Sequence, residues 1–104
     1  MLNIAVERRL YTRTDIELPV KIFYGELCIA TCTTVNIGMG GMLIETTETG
    51  LTVNSLIQIM FDVDPSHCLY NVKIPAIVSR NEPDKVAVSF ERLEKGIEEF
   101  ICRS

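Results

Sequence analysis

The stretch that decides the fold is residues 15–41, DIELPVKIFYGELCIATCTTVNIGMGG. Its first ten residues alternate between polar and apolar side chains, and a period of two is typical of a β-strand with one buried face. Gly25-Glu26 then fits a two-residue hairpin loop. Residues 27–37 are rich in Ile, Thr, Val and Cys, which favours a returning strand. The stretch therefore predicts an antiparallel hairpin with one face in a core.

Two features of this hairpin indicate its place in a larger sheet. Pro19, on the polar face of the first strand, has no N–H to donate to a strand ladder. This predicts a position at a sheet edge or at the rim of a barrel. The second strand runs into Asn36-Ile37-Gly38-Met39-Gly40-Gly41, a turn signal inside apolar sequence, after which a short strand is predicted at 42–46.

The rest of the chain contains further patterns typical of short strands, and near the C-terminus the spacing of the apolar residues changes to that of a helix. Strands are predicted at 56–63, at 69–80 with an interruption at Pro75, and around 86–90. Apolar residues then recur at i, i+4, i+7 and i+8, the spacing of a helix face: Leu93, Ile97, Phe100 and Ile101. About six short strands without a βαβ rhythm predict an all-β fold, a six-stranded antiparallel β-barrel with a C-terminal α-helix.

The length of 104 residues corresponds to one domain. We expect a flexible N-terminal arginine segment at 1–14, the barrel at 15–90 and the helix at 92–103. No apolar run approaches the ~20 residues that a membrane-spanning helix needs, and residues 1–9 do not form a secretory signal. The expectation is a cytoplasmic protein without membrane insertion.

The charges are unevenly distributed. The net charge is −4, which argues against a general DNA or RNA binder, since such proteins usually carry a basic face. Yet Arg8, Arg9 and Arg13 lie within six positions, and no Lys or Arg occurs between Glu26 and Gln58. An arginine cluster on an acidic chain indicates one small anionic site.

No metal or catalytic site is predicted. The chain has four cysteines, namely Cys28, Cys32, Cys68 and Cys102. Cys28 and Cys32, four apart in a predicted strand, should share a face about 13 Å apart, too far for a disulfide. His67 is the only histidine, and no paired CxxC spacing accompanies it. With no nucleophile, base or phosphate loop, we expect no enzyme activity and no cofactor.

Two motifs carry a resemblance. Arg9-Leu10-Tyr11-Thr12-Arg13 fits an RxxxR signature directly before the first strand, with Arg8 beside it, and Asn36–Gly41 fits (D/N)xSxxG except that Gly38 replaces the serine. In this order, one hairpin apart, the motifs resemble the PilZ domain family, small bacterial β-barrels that bind the second messenger cyclic di-GMP. The resemblance extends over AIVSR at 76–80, VAVSF at 86–90 and the terminal helix, which is essentially the whole chain.

The resemblance implies a ligand site and a role in bacterial signalling. In the family the arginines of RxxxR bind the dinucleotide. Guanidinium groups bind phosphate through paired charge-assisted hydrogen bonds and contact the edge and face of guanine. The implied cyclic di-GMP site comprises Arg8, Arg9, Arg13, Asn36, Gly38, Gly40 and Gly41.

Each element of this site has its own expected chemistry. The Asn36 amide can accept hydrogen bonds from a guanine. Gly40 and Gly41 would allow positive φ and the close approach of a flat base. The missing hydroxyl at Gly38 removes one or two hydrogen bonds of ~0.5–1.5 kcal/mol, or up to ~3 to a charged phosphate. This predicts binding weakened between a few-fold and a hundredfold.

Three functions remain open at this point. The leading one is a cyclic di-GMP receptor that acts in trans on an unidentified protein effector in motility, biofilm or exopolysaccharide control. The alternative is a PilZ-fold interaction module that does not bind cyclic di-GMP, in which the arginines are solvated and Asn36 is a turn residue. An unrelated barrel that binds nucleic acid is disfavoured by the charge and by only seven aromatic residues.

Overall fold

The hairpin predicted at residues 15–37 is present as the second and third strands of a barrel. The computed structural model describes residues 13–46, 50–92 and 94–103. Within them lie seven strands and one helix: β1 (Arg13–Asp15), β2 (Pro19–Tyr24), β3 (Leu27–Gly38), β4 (Gly41–Glu45), β5 (Leu56–Phe61), β6 (Lys73–Asn81), β7 (Lys85–Phe90) and α1 (Lys95–Arg103). Strand β1 starts at Arg13, within the N-terminal arginine segment predicted at 1–14. Helix α1 starts three residues later than the predicted helix at 92–103.

The strands close into a barrel. All pairings are antiparallel, in the order β3-β2-β5-β6-β7-β4, and β4 pairs back onto β3. Strand β1 lies beside the last three residues of β3, on the edge that β2 leaves uncovered. The six-stranded antiparallel barrel with a C-terminal helix is thereby confirmed.

Opposing inward side chains form the core. Ile59 pairs with Ile22 on one side and Ile74 on the other, and all three are fully buried. Helix α1 packs its apolar face against the barrel through Ile97 and Phe100. The buried apolar set is what the alternation of the strands and the helical spacing predict.

Of the two prolines in strands, Pro19 lies at the predicted rim, whereas Pro75 does not interrupt its strand as predicted. Strand β2 lies between β3 and β5, so it is not an edge strand. Pro19 is its first residue, at the rim, where a missing N–H is tolerated. Pro75 does not interrupt β6: it pairs opposite Gln58, whereas the chain before Lys73 forms a turn instead of the predicted strand.

A β-bulge in β3 overturns the prediction that Cys28 and Cys32 share a face. Ala30 pairs with Ile22, but Cys28 pairs with Phe23, so one extra residue, at position 29, lies in β3. An extra residue reverses the face of every side chain beyond it. Cys28 is exposed and Cys32 is buried, and burial raises the pKa of the Cys32 thiol.

This bulge predicts unequal thiol reactivity. The thiolate is the nucleophile that attacks iodoacetamide and displaces iodide, so exposed Cys28 should be alkylated readily in the native protein. Buried Cys32 should react at least roughly a hundredfold more slowly, because labelling requires opening of the barrel. Peptide mass spectrometry of a labelling time course measures both rates, with labelling in denaturant as the control. Equal native rates would contradict the bulge.

Hydrogen bonds of Thr34, in β3, hold the segment that connects β1 to β2. The Thr34 side chain is buried, accepts a hydrogen bond from Leu18 N at 2.9 Å and donates one to Ile16 O at 2.6 Å. Thr34 N also donates to Leu18 O at 2.9 Å. Because β1 has only three residues, these bonds hold it in place.

We predict that Thr34→Val destabilises the fold by about 2–4 kcal/mol. The replacement has the same shape but leaves one N–H and one carbonyl unsatisfied, at ~1–3 kcal/mol for each buried group. The same substitution at Thr31, which is exposed in the same strand, should change stability by less than about 0.5 kcal/mol. Urea unfolding of both variants measures the difference. A Thr34→Val protein as stable as wild type would show that the connection does not depend on the hydroxyl.

Candidate functional site

A cleft of about 350 Å³ opens on the outside of the barrel beside the β3–β4 hairpin. It crosses the outer face from β3 over β4 and β7 to β6, and we call it the outer-face cleft. Its lining residues are Arg13, Asn36, Gly40, Gly41, Met42, Leu43, Ser79, Arg80, Ala87, Val88 and Ser89. The outward positions of its floor are mostly small: Gly41 has no side chain, Ala87 and Ser89 have short ones, and Leu43 is the larger exception.

A second bulge in β3 turns Asn36 toward this cleft. Thr34 pairs with Ile44 and Asn36 pairs with Leu43, so an extra residue is inserted at position 35. Without it, Asn36 would continue the inward alternation of Cys32 and Thr34. With it, Ile37 points into the core instead, and its side chain is fully buried. The polar amide therefore reaches the outer face because of the bulge.

Arg13 and Asn36 are in direct contact. Arg13 Nε and Nη2 both donate to Asn36 Oδ1, at 2.9 Å and 2.6 Å. Strand β1 brings them together because Arg13 pairs with Gly38, and Asn36 is two residues away on the same strand. Asn36 is neutral, so the contact orients the guanidinium group without cancelling its charge.

The glycine segment differs from the sequence prediction. Asn36 and Gly38 lie within β3, and Gly41 begins β4, so only Met39 and Gly40 separate the two strands. Among the described residues, the glycines with positive φ are Gly25 and Gly50, so Gly40 and Gly41 do not use the positive φ that glycine allows. Gly38 is buried and does not line the cleft.

Gly41 is required for close approach of two strands. A Cβ atom built on it would lie 2.1 Å from the backbone oxygen of Val88. Gly41 pairs with Ser89 across β4 and β7, and Phe90 N donates to Gly40 O at 2.9 Å. The glycine thus brings the hairpin tight against β7 and sets the depth of the cleft at that end.

A third bulge places two polar residues that the sequence analysis did not select. Val78 pairs with Val88 and Arg80 pairs with Ala87, so an extra residue at position 79 reverses the alternation of β6. Ser79 and Arg80 are both exposed. The Ser79 hydroxyl donates to Ala87 O at 3.1 Å. Two successive polar residues after an apolar alternation were the available signal for this bulge.

The cleft is electropositive by composition. Arg13 and Arg80 line it, and none of the described lining residues is acidic. Two other surface depressions each include acidic residues, Glu98 and Glu99 in one and Glu26 and Glu91 in the other. Although the whole chain has a net charge of −4, this cleft therefore favours an anion.

The remaining two arginines of the predicted site, Arg8 and Arg9, lie outside the described residues. In the sequence Arg8 and Arg9 precede Arg13 by five and four positions, and their part in the site stays a prediction.

Other chemistry has little support in the described part of the chain. No three of its His, Cys, Asp and Glu side chains are grouped to hold a metal ion. His67 Nδ1 accepts a hydrogen bond from Leu69 N at 3.0 Å, and its ring contacts Phe100. Among the described helices, none has the length and apolar character needed to cross a membrane.

Fold and cleft together define a class: a small closed β-barrel with an arginine-lined cleft on its outer face. The sequence profile of the PilZ domain family matches residues 7–103, and the chain belongs to this family. PilZ domains are in general receptors for cyclic di-GMP with regulatory roles. No protein of curated function matches the sequence.

Two solved structures share the fold. The PilZ domain of CeSA from a cellulose-synthesizing bacterium is 18% identical, with a TM-score of 0.69 over 88% of this chain and 92% of that one. The Bacillus subtilis inhibitor of motility, MotI/DgrA, is 20% identical, with a TM-score of 0.70 over 92% of this chain and 48% of that one.

We predict that Gly41→Ala costs roughly 3 kcal/mol of stability, because its methyl group overlaps a backbone carbonyl that cannot move without separating β4 from β7. Gly25→Ala is the matched control. Its Cβ meets nothing within 4 Å, so only its positive φ of 65° adds strain, about 1–2 kcal/mol. Thermal and urea unfolding compare the two. A smaller loss at Gly41 than at Gly25 would contradict the close approach.

Proposed function

We propose that this chain is a cyclic di-GMP receptor that acts in trans on a protein partner. The observation that carries the proposal is the contact between Arg13 and Asn36 on one wall of the outer-face cleft. These residues come from the two PilZ motifs, 23 positions apart, and the fold places them on one wall of one electropositive cleft.

Arg13 is the group that we assign to the phosphate or to the guanine edge. A guanidinium group has five N–H donors in a fixed plane and matches two acceptor oxygens at once. Two of its nitrogens contact Asn36 Oδ1, which fixes the plane of the group before the ligand arrives. Orientation in advance lowers the entropy lost on binding.

The floor of the cleft suits a flat base. Gly41, Ala87 and Ser89 carry small or no side chains, and Leu43 adds an apolar surface. A guanine placed there can present its N–H groups to Asn36. We propose that Arg8 and Arg9 of the same PilZ motif contribute to binding of this ligand.

Gly38 is the departure from the family signature that most affects affinity. The buried position provides no hydroxyl group, so one or two hydrogen bonds are absent relative to a serine-containing site. At ~0.5–1.5 kcal/mol for each neutral bond, the loss lowers affinity by up to roughly a hundredfold. We therefore propose a weaker receptor that retains the site.

The likeness to a motility inhibitor supports a regulatory role through a protein partner. MotI/DgrA is an inhibitor of motility in Bacillus subtilis, and this chain matches about half of its length. We propose that this chain likewise regulates a protein effector, in motility, biofilm or exopolysaccharide control. We further propose a cytoplasmic location and no nucleic-acid partner.

The second candidate function is a ligand-independent interaction module. Gly38 favours it, since the residue replaces a hydroxyl group of the family signature and does not line the cleft. In that case the barrel would serve only as a scaffold for protein contacts, and the cleft arginines would bind no nucleotide.

The deciding experiment is calorimetric titration of the purified protein with cyclic di-GMP. We expect saturable binding, and we expect Arg13→Ala to weaken it by at least roughly tenfold, because charge-assisted hydrogen bonds contribute ~1.5–3 kcal/mol each. Lys21→Ala, which removes a positive charge on β2 outside the cleft lining, should bind like wild type.

Either outcome separates the two candidates. Binding that Arg13→Ala weakens and Lys21→Ala does not supports a receptor. No binding by wild type up to roughly 100 μM, a free energy of about −5.5 kcal/mol, would rule out the receptor and favour the interaction module. Cyclic GMP, with one phosphate and one guanine, tests whether the dinucleotide is required.

A further inference from the structure

Arg80 faces the outer-face cleft from the wall opposite Asn36. We propose that Arg80 is a further ligand-binding residue of this cleft and that Glu82 is its built-in competitor, displaced when an anionic ligand binds. The inference rests on the proposed cyclic di-GMP function and names a residue outside both PilZ motifs.

The placement of Arg80 is the first step. Strand β6 buries Ile74, Ala76 and Val78, so an uninterrupted alternation would place Arg80 in the core. The bulge at Ser79 turns Arg80 outward, and the Ser79 hydroxyl fixes the bulge by donating to Ala87 O. Bulges that redirect a side chain occur often beside functional sites.

The span of the cleft is the second step. Three strand spacings separate β3 from β6 across β4 and β7, about 14 Å before curvature. Arg13 and Asn36 stand at one end of this span, and Arg80 stands at the other. An elongated ligand with two phosphates and two bases can contact both walls, whereas a single nucleotide reaches one.

Arg80 at present forms an ion pair with Glu82. Arg80 Nε contacts Glu82 Oε2 at 2.8 Å, and the two side chains are 65% and 42% exposed. Exposed ion pairs are weak. The contact uses one of the five N–H donors of the guanidinium group. A ligand phosphate can therefore take the four donors on Nη1 and Nη2 and then replace the carboxylate at Nε.

Arg13 and Arg80 have different kinds of partner, and this difference indicates that Glu82 competes with a ligand for Arg80. Arg13 is held by a neutral amide, and Arg80 is held by a carboxylate that neutralises its charge. Glu82 does not line the cleft. Its position two residues beyond Arg80 lets it hold the guanidinium group without occupying the ligand's space.

The test is a double-mutant cycle of cyclic di-GMP affinity by calorimetric titration. We expect Arg80→Ala to weaken binding by roughly tenfold or more and Arg80→Lys to recover part of the loss. Glu82→Gln should tighten binding about two- to fivefold, as expected for the release of a weak surface ion pair. In the Arg80→Ala background, Glu82→Gln should have no effect.

The chain supplies a matched control pair. Arg92 and Glu94 have the same spacing, with Arg92 Nε 3.5 Å from Glu94 Oε2, and Arg92 is 76% exposed. Neither residue lines the cleft. Arg92→Ala and Glu94→Gln should bind cyclic di-GMP like wild type, and thermal unfolding should show that all variants are folded.

The outcomes distinguish this inference from the proposed function. If wild type binds and Arg80→Ala binds equally well, the receptor stands and the role of Arg80 is overturned. If Glu82→Gln tightens binding equally in the Arg80→Ala background, its effect is general electrostatics and the competition is overturned. If wild type binds no cyclic di-GMP, both proposals fall.

Discussion

The alternation of β3 controls the site, because one inserted residue reverses the face of every side chain beyond it. The strand pairs with three others: β2 along its first half, and β1 and β4 along its second half. Bulges at positions 29 and 35 let one strand satisfy all of these pairings. The second bulge keeps Ile37 in the core and puts Asn36 outside, so packing and site geometry depend on the same irregularity.

The bulge in β6 has the same effect on the opposite wall of the cleft. It ends the inward alternation at Val78 and turns Arg80 outward. Between the two bulged strands, β4 and β7 run in regular register, and Gly41 brings them close together. The floor of the cleft therefore consists of the regularly paired strands β4 and β7, which determine its shape. The bulged strands β3 and β6 form its walls and provide the polar side chains.

The sequence predicts the regular part of this arrangement well. Alternation in residues 15–24, short turns and the helical spacing of Ile97, Phe100 and Ile101 suffice for the barrel and its helix. The phase of residues 27–38 is not predictable from the pattern, because threonine and cysteine tolerate either face of a strand. The prediction that Cys28 and Cys32 share a face was wrong because the same pattern does not reveal the bulge at position 29. Arg80 was missed because the successive polar residues Ser79 and Arg80 only hint at a bulge, whose presence is fixed by the pairing of β6 with β7.

Binding of a ligand in this cleft would change the contacts of the two arginines that line it. In the structure Arg13 donates to Asn36 and Arg80 pairs with Glu82, so both guanidinium groups already have partners. Arg13 can keep its hydrogen bonds to the neutral Asn36 and offer its remaining N–H donors to a ligand. Binding at Arg80 would instead exchange one partner for another and free a carboxylate into water, so the two walls differ. Under the proposed function an anionic ligand would therefore engage the β1–β3 wall more readily, and the β6 wall would add selectivity for a ligand long enough to span the cleft.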